Sequence, residues 1–118
     1  MSDDLPKIGN VLYPVGDVAA ARQFYGECLG LGVKFTDGDR FSALDGGSTT
    51  LALAGPVEDV TGGVVAASFK VADLNATVKA VIARGGEVVR PAERGPHEVR
   101  AVVRDPWRNT FVLYSSLR

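Results

Sequence analysis

The sequence has very little cysteine, histidine or net charge. Its 118 residues include one Cys and one His, and the formal net charge is −1. A single cysteine cannot form a disulfide within the chain. Cys28 lies in a helical pattern, which favours a buried structural thiol, with a reactive thiol as the alternative. Because the charge is nearly balanced, no overall field attracts nucleic acid or an anionic membrane, and we expect neither as a partner.

Long apolar runs are also missing. No run approaches the length that spans a bilayer, and no positively charged start leads into an apolar stretch. The hydrophobic content of 46% and the charged content of 23% are typical of a soluble globular protein, so we expect a cytoplasmic location. A chain of 118 residues suits one domain with its own core.

One order of predicted elements occurs twice along the chain. An extended run is followed by an aspartate that can cap a helix, Asp17 in the first half and Asp73 in the second. Glycines then end each helical pattern, and three short strand-like runs follow, with Asp37-Gly38 as a hairpin turn signal. The predicted strands are 8–15, 32–36, 40–44 and 49–54 in the first half, then 64–71, 87–90, 99–104 and 110–114. Residues 55–63 form a turn-rich linker. A duplicated module explains this order, and coincidence between two amphipathic segments is the alternative.

Three segments carry a family resemblance. They are Val15-Gly16-Asp17-Val18 running into Phe24-Tyr25-Gly26-Glu27-Cys28-Leu29-Gly30, then Phe69-Lys70-Val71-Ala72-Asp73-Leu74, and Arg104-Asp105-Pro106-Trp107-Arg108-Asn109 with the strand after it. In this order they resemble the glyoxalase/bleomycin-resistance/dioxygenase, or vicinal-oxygen-chelate (VOC), superfamily. The resemblance implies a single α+β domain. Its two tandem βαβββ modules (about 8–55 and 64–118, linker about 56–63) would form curled mixed sheets around a cleft.

The resemblance also locates the positions where metal-using relatives hold their ion. Counted along the motifs, these positions are Asn10, Ala52, Ala66 and Val112. Alanine and valine offer no donor atom, and asparagine is at best one neutral ligand. The same-face neighbours Leu12, Ser68, Lys70, Thr110 and Tyr114 are also poor ligands, and His97 is expected at a loop surface or rim. We therefore expect no metal and no cofactor. A further departure from the family is Arg108, which stands where glycine is usual and would be strained if the turn needs a positive φ.

Strand alternation predicts which side chains face the cleft and which pack on the helices. Val11, Leu51, Leu53, Phe69, Phe111 and Leu113 should face the helices. Phe35, Phe41 and Trp107 are candidate aromatic walls, with core or dimer packing as the alternative. The predicted ligand-binding residues are Asn10, Leu12, Phe35, Phe41, Ala52, Ala66, Ser68, Trp107, Val112 and Tyr114. Five arginines between residues 90 and 108 could select an anionic ligand or form a solvated face.

These expectations favour a non-catalytic small-molecule binding protein of the bleomycin-resistance-like branch, sequestering an antibiotic or another toxic aromatic compound. We expect an aromatic or apolar ligand. We also expect a homodimer, because pairing would cover open strand edges. One alternative is a lyase, isomerase or dioxygenase of the same superfamily with an atypical or absent metal site. Another is a structural or regulatory dimer without a ligand.

Overall fold

A computed structural model of the chain describes residues 6–95 and 98–117. These residues form eight β-strands and two α-helices, and the order strand, helix, strand, strand, strand occurs twice. The predicted mixed α+β fold class is confirmed. The chain divides into two compact units. The N-terminal unit contains residues 10–66, and the C-terminal unit contains the described parts of 1–9 and 67–118. No helix among the described residues is long and apolar enough to cross a membrane.

The N-terminal unit has one helix and a four-stranded mixed sheet. Its elements are β1 (Lys7–Pro14, from Asn10 onward), α1 (Val18–Leu29), β2 (Val33–Asp37), β3 (Phe41–Asp45) and β4 (Thr50–Ala54). The strand order is β2-β3-β4-β1. β1 and β4 are parallel, while the β2–β3 and β3–β4 pairs are antiparallel. A short 3-10 turn at Pro56–Glu58 lies in the predicted linker.

The C-terminal unit has the same pattern of pairing. Its elements are β5 (Ala66–Lys70, from Ala67 onward), α2 (Leu74–Ala83), β6 (Glu87–Arg94), β7 (Glu98–Arg104) and β8 (Thr110–Ser116). The strand order is β5-β8-β7-β6. β5 and β8 are parallel, and the other two pairs are antiparallel.

Both helices begin at the predicted aspartates. The Asp17 carboxylate accepts a hydrogen bond from the backbone N–H of Ala20, and the Asp73 carboxylate accepts one from Ala76, each at 3.0 Å. Such caps contribute about 1 kcal/mol each, because they satisfy a backbone donor that the first turn leaves unpaired. Gly30 ends α1 with φ of 73°, the left-handed conformation that glycine adopts without strain.

The core of each unit lies between its sheet and its helix. In the C-terminal unit, Leu74, Ala101, Val103 and Leu113 are buried together, and Phe69, Val71, Val99 and Phe111 pack against them. In the N-terminal unit, Val18, Leu44 and Leu53 are buried. The Tyr13 ring contacts Tyr25 edge to face with centroids 5.9 Å apart, which joins β1 to α1. Because these side chains face the helices, alternate residues on the same strands face the opposite side of the sheet.

Several strand ends differ from those expected. β5 begins at Ala66 and not at residue 64, and Val64 and Val65 are exposed. β6 does not stop before Pro91 but continues to Arg94. Proline is tolerated there because β6 is at the end of its strand order and its register with β7 shifts between Arg90 and Glu93. The expectation of a buried Cys28 is wrong, since this thiol is exposed on α1.

The turn between β7 and β8 has an arginine in a left-handed conformation. Arg108 has φ of 72°, and no other non-glycine residue in the described part of the chain has a positive φ. The Asp105 carboxylate organises the turn, since it accepts hydrogen bonds from the backbone N–H groups of Trp107 and Asn109 and from the Asn109 side chain, each at 2.9 Å. The turn therefore requires the positive φ that makes arginine costly at this position.

Candidate ligand-binding faces

Each unit has a strand face that does not bear its helix, which we call the helix-free face. In the N-terminal unit, Leu12 is the register partner of Ala52, and Ala52 is the partner of Ala43. Ala43 in turn pairs with Phe35. Cross-strand partners share a face, so these four side chains form one row across β1, β4, β3 and β2. Sequence alternation correctly placed Leu12 and Ala52 together.

This row is apolar and ends in an exposed aromatic pair. Leu12 and Ala52 are buried, whereas Phe35 is 56% exposed. Phe41 lies on the same face, because it is the register partner of Ala54, two residues from Ala52 on β4. The rings of Phe35 and Phe41 have centroids 6.4 Å apart. The predicted aromatic walls Phe35 and Phe41 are thus neighbours.

A polar atom borders the same row. Asn10 is the register partner of Thr50, two residues before Ala52 on β4. Its side-chain oxygen is buried and has no hydrogen-bond partner among the described residues. A buried acceptor without a donor is costly in a folded protein and is often found where a ligand or water completes the bonding.

The helix-free face of the C-terminal unit is more polar. Ser68 is the register partner of Val112, and both are 4% exposed. The next row contains Lys70 and Tyr114, which are also register partners. The predicted residues Ser68, Val112 and Tyr114 therefore lie next to one another, and the structure adds Lys70 to them.

The Tyr114 side chain packs directly over Gly9, which belongs to the same unit. A Cβ atom added at Gly9 would lie 1.7 Å from the Tyr114 hydroxyl oxygen, so only glycine fits beneath this ring. Burial, with a smaller contribution from the nearby Glu98 carboxylate, raises the pKa of Tyr114 above its ordinary value. The hydroxyl stays protonated at neutral pH and can donate a hydrogen bond.

The residues at the family's metal-ligand positions do not fit a metal ion. Ala52, Ala66 and Val112 are buried hydrocarbon side chains, and only Asn10 offers an oxygen. Across residues 6–95 and 98–117, no group of three or more His, Cys, Asp or Glu side chains could hold an ion. A divalent metal needs several such donors at close range.

Trp107 stands apart from the other predicted positions. Trp107 lies in the β7–β8 turn and is 80% exposed, so it packs against little of the protein. Ala66 is buried at the start of β5. The expectation for His97 falls outside the described residues.

A groove of the C-terminal unit lies on the other side of its sheet. It has a volume of about 530 Å³ and runs beside α2, and its lining includes Phe69, Phe111 and Ala80. None of the predicted ligand-binding residues lines it. Sequence alternation assigned Phe69 and Phe111 to helix packing and gave no sign of this space.

Comparisons with known proteins agree with this arrangement of elements. Residues 7–113 match the profile of the Glyoxalase/Bleomycin resistance protein/Dioxygenase superfamily. An uncharacterised protein from Mycolicibacterium smegmatis is 46% identical over 96 residues, which cover 81% of this chain and 82% of that protein.

Solved structures show the same fold at low sequence identity. A superfamily member from Vibrio splendidus 12B01 superposes with a TM-score of 0.71 at 18% identity, covering 95% of this chain and 100% of that chain. Methylmalonyl-CoA epimerase from Streptomyces coelicolor, in complex with 2-nitronate-propionyl-CoA, superposes with a TM-score of 0.72 at 23% identity. That match covers 95% of this chain and 98% of the epimerase chain.

Proposed function

The chain belongs to the Glyoxalase/Bleomycin resistance protein/Dioxygenase superfamily, and from this premise we propose that it is a non-catalytic binding protein for a small aromatic or apolar molecule. Its role would be to sequester a toxic compound, such as an antibiotic, in the cytoplasm. The proposed single domain consists of two modules, about 8–55 and 64–118. The residues at the family's metal-ligand positions support binding without its metal chemistry, because three of the four, Ala52, Ala66 and Val112, carry hydrocarbon side chains.

The observation that carries the proposal is the Phe35–Phe41 pair. Its rings adjoin a row of apolar side chains, and Phe35 leaves more than half of its surface exposed on the helix-free face. Aromatic rings bury a large area with little loss of conformational freedom, which makes them effective walls for a flat ligand. The unpaired oxygen of Asn10 would provide a polar anchor beside that wall.

A matched pair of phenylalanine variants tests this proposal. A thermal-shift screen of aromatic and polycyclic compounds first identifies a binder, since a bound ligand raises stability by mass action. We expect Phe35→Ala to weaken that binder about tenfold, the loss from removing part of an aromatic contact area. Phe24→Ala is the control, because Phe24 is 57% exposed, like Phe35, but lies on α1.

Three outcomes would contradict the proposal. Equal losses of affinity in the two variants would show that exposed phenylalanines bind such compounds non-specifically. A screen without any hit would favour a structural or regulatory protein. Turnover of a glyoxal-type or epoxide substrate that depends on a near-stoichiometric metal would show that the chain is an enzyme.

We also propose a homodimer. Exposed apolar side chains support it, because Leu29 at the end of α1 and Val33 at the start of β2 are each more than half exposed. Pairing of two chains could cover such exposed apolar surface. Sedimentation equilibrium should give a mass near twice 12.4 kDa, and Leu29→Lys should shift the mass toward that of one chain. A single-chain mass for the unmodified protein at high concentration would exclude the dimer.

A further inference from the structure

Three polar side chains form one row on the helix-free face of the C-terminal unit. Tyr114 on β8 is the register partner of both Lys70 on β5 and Arg100 on β7. The neighbours of these residues along the strands, Phe69 and Leu113 among them, pack toward α2. The three side chains therefore share the opposite face, at the spacing of about 5 Å between paired strands.

Charges on this face are balanced except at one position. The guanidinium group of Arg100 lies 3.8 Å from the Glu98 carboxylate, and that of Arg104 lies 2.8 Å from Glu87. The third arginine of the face, Arg90, is 3.3 Å from Glu93. Lys70 has no ion pair with any residue in the described ranges. The row therefore has one positive charge in excess, on a side chain that is partly buried in the fold.

Two hydroxyl groups adjoin this lysine. Ser68 precedes Lys70 by two residues on the same face of β5 and is 4% exposed, yet its hydroxyl makes no hydrogen bond to any described residue. The Tyr114 hydroxyl likewise makes none within the described chain. Both hydroxyl groups can therefore donate to an acceptor atom of a ligand.

We propose that Lys70, Tyr114 and Ser68 form a carboxylate-binding site, so that the ligand is a small organic acid with one negative charge. This inference rests on the proposed binding function and specifies its ligand class. One ammonium and two hydroxyl donors match the one charge and several lone pairs of a carboxylate. A dianionic phosphate would need a second free cation, and the nearest one, Arg100, already faces Glu98.

Pairs of acids and their amides test the charge requirement. The probes are phenylacetate with phenylacetamide and 1-naphthoate with 1-naphthamide, titrated calorimetrically at neutral pH and low ionic strength. Each pair has the same apolar body and differs in charge. We expect each acid to bind at least about tenfold more tightly than its amide, as for a hydrogen-bonded ion pair.

Variants of two lysines then locate the charge. We expect Lys70→Gln to remove the preference for acids, with binding of the amides unchanged, and Lys70→Arg to retain much of it. Lys79→Gln is the matched control, because Lys79 is exposed on α2, on the other side of the sheet. Tyr114→Phe should weaken the acids severalfold and the amides less, because a hydrogen bond to a charged acceptor is the stronger one.

The outcomes separate this inference from the function on which it rests. If the amides bind as tightly as the acids, the carboxylate site is refuted and the binding function stands. If Lys79→Gln weakens the acids as much as Lys70→Gln, the preference is unspecific and the site is refuted. If neither acids, amides nor the broader aromatic screen bind, both proposals fail.

Discussion

Replacing Arg108 by glycine should stabilise the protein. Arg108 has φ of 72°, and a left-handed conformation costs a residue with a side chain about 1–2 kcal/mol. Glycine avoids this strain but has more freedom to lose on folding, which costs about 0.4–1 kcal/mol. The net gain is about 1 kcal/mol, or about 3–6 °C in Tm for a chain of this length. The hydrogen bond from the backbone N–H of residue 108 to the Asp105 carbonyl, at 2.9 Å, is retained in the variant.

Arg108→Ala is the control for this variant, because it removes the side chain and its charge while the strain remains. We expect its free energy of unfolding to match that of the unmodified protein within about 0.5 kcal/mol, the usual range for a surface substitution. Urea titrations followed by circular dichroism give both values by linear extrapolation. If Arg108→Ala stabilises as much as Arg108→Gly, the gain comes from the side chain, and the reasoning from backbone strain is refuted.

Three further predictions concern Gly9, Tyr114 and Asp105. Gly9→Ala should destabilise the protein by about 1–3 kcal/mol through overpacking against the Tyr114 ring. The double variant with Tyr114→Phe should recover part of that loss, because the clashing hydroxyl is gone. Strictly additive effects in the double-mutant cycle would refute this contact. The Asn109 side chain, with backbone N–H groups of the turn, lowers the pKa of Asp105 below 3.8. The stabilisation by this carboxylate is therefore present above that pH and is lost as the pH falls through the folded-state pKa. Asp105→Asn should flatten the acid side of the curve of unfolding free energy against pH, and an unchanged acid side would contradict the assignment. Burial raises the pKa of Tyr114 above 10.0, so the free energy of unfolding should be retained below pH 10 and should fall as the pH rises through the folded-state pKa. Tyr114→Phe should reduce this fall. An unchanged fall at alkaline pH in the variant would show that Tyr114 does not cause it.

The sequence predicted best those features that depend on neighbouring residues. Asp17 and Asp73 cap their helices as expected, because a cap requires only a short polar side chain before a helical pattern. Strand ends were less accurate, because a strand extends as far as its partner continues. Val64 and Val65 have the composition of a strand but lie outside β5, and Pro91 lies inside β6 because the pairing there is already irregular.

In the candidate site, too, features within one strand were predicted better than features that depend on strand pairing. Alternation along single strands placed Leu12, Ser68 and Val112 on the helix-free faces. It could not align Lys70 on β5 with Tyr114 on β8, because the register between these two strands, which are not consecutive in sequence, is not visible in either one alone. The sequence presented Lys70 as a poor metal ligand and Arg100 as one of several arginines. Gly9 carried no signal of its own, since its role comes from a ring more than 100 residues further along.

The position of β8 in the strand order has a consequence for synthesis of the chain. β8 leaves the ribosome after both β5 and β7, yet it lies between them in the strand order and not at an edge. A nascent or truncated chain that lacks residues 110–116 would therefore expose one unpaired edge on β5 and another on β7, each able to pair with another chain. Incomplete chains should aggregate or be degraded until β8 is inserted, and removal of β8 should be far more damaging than the loss of an edge strand.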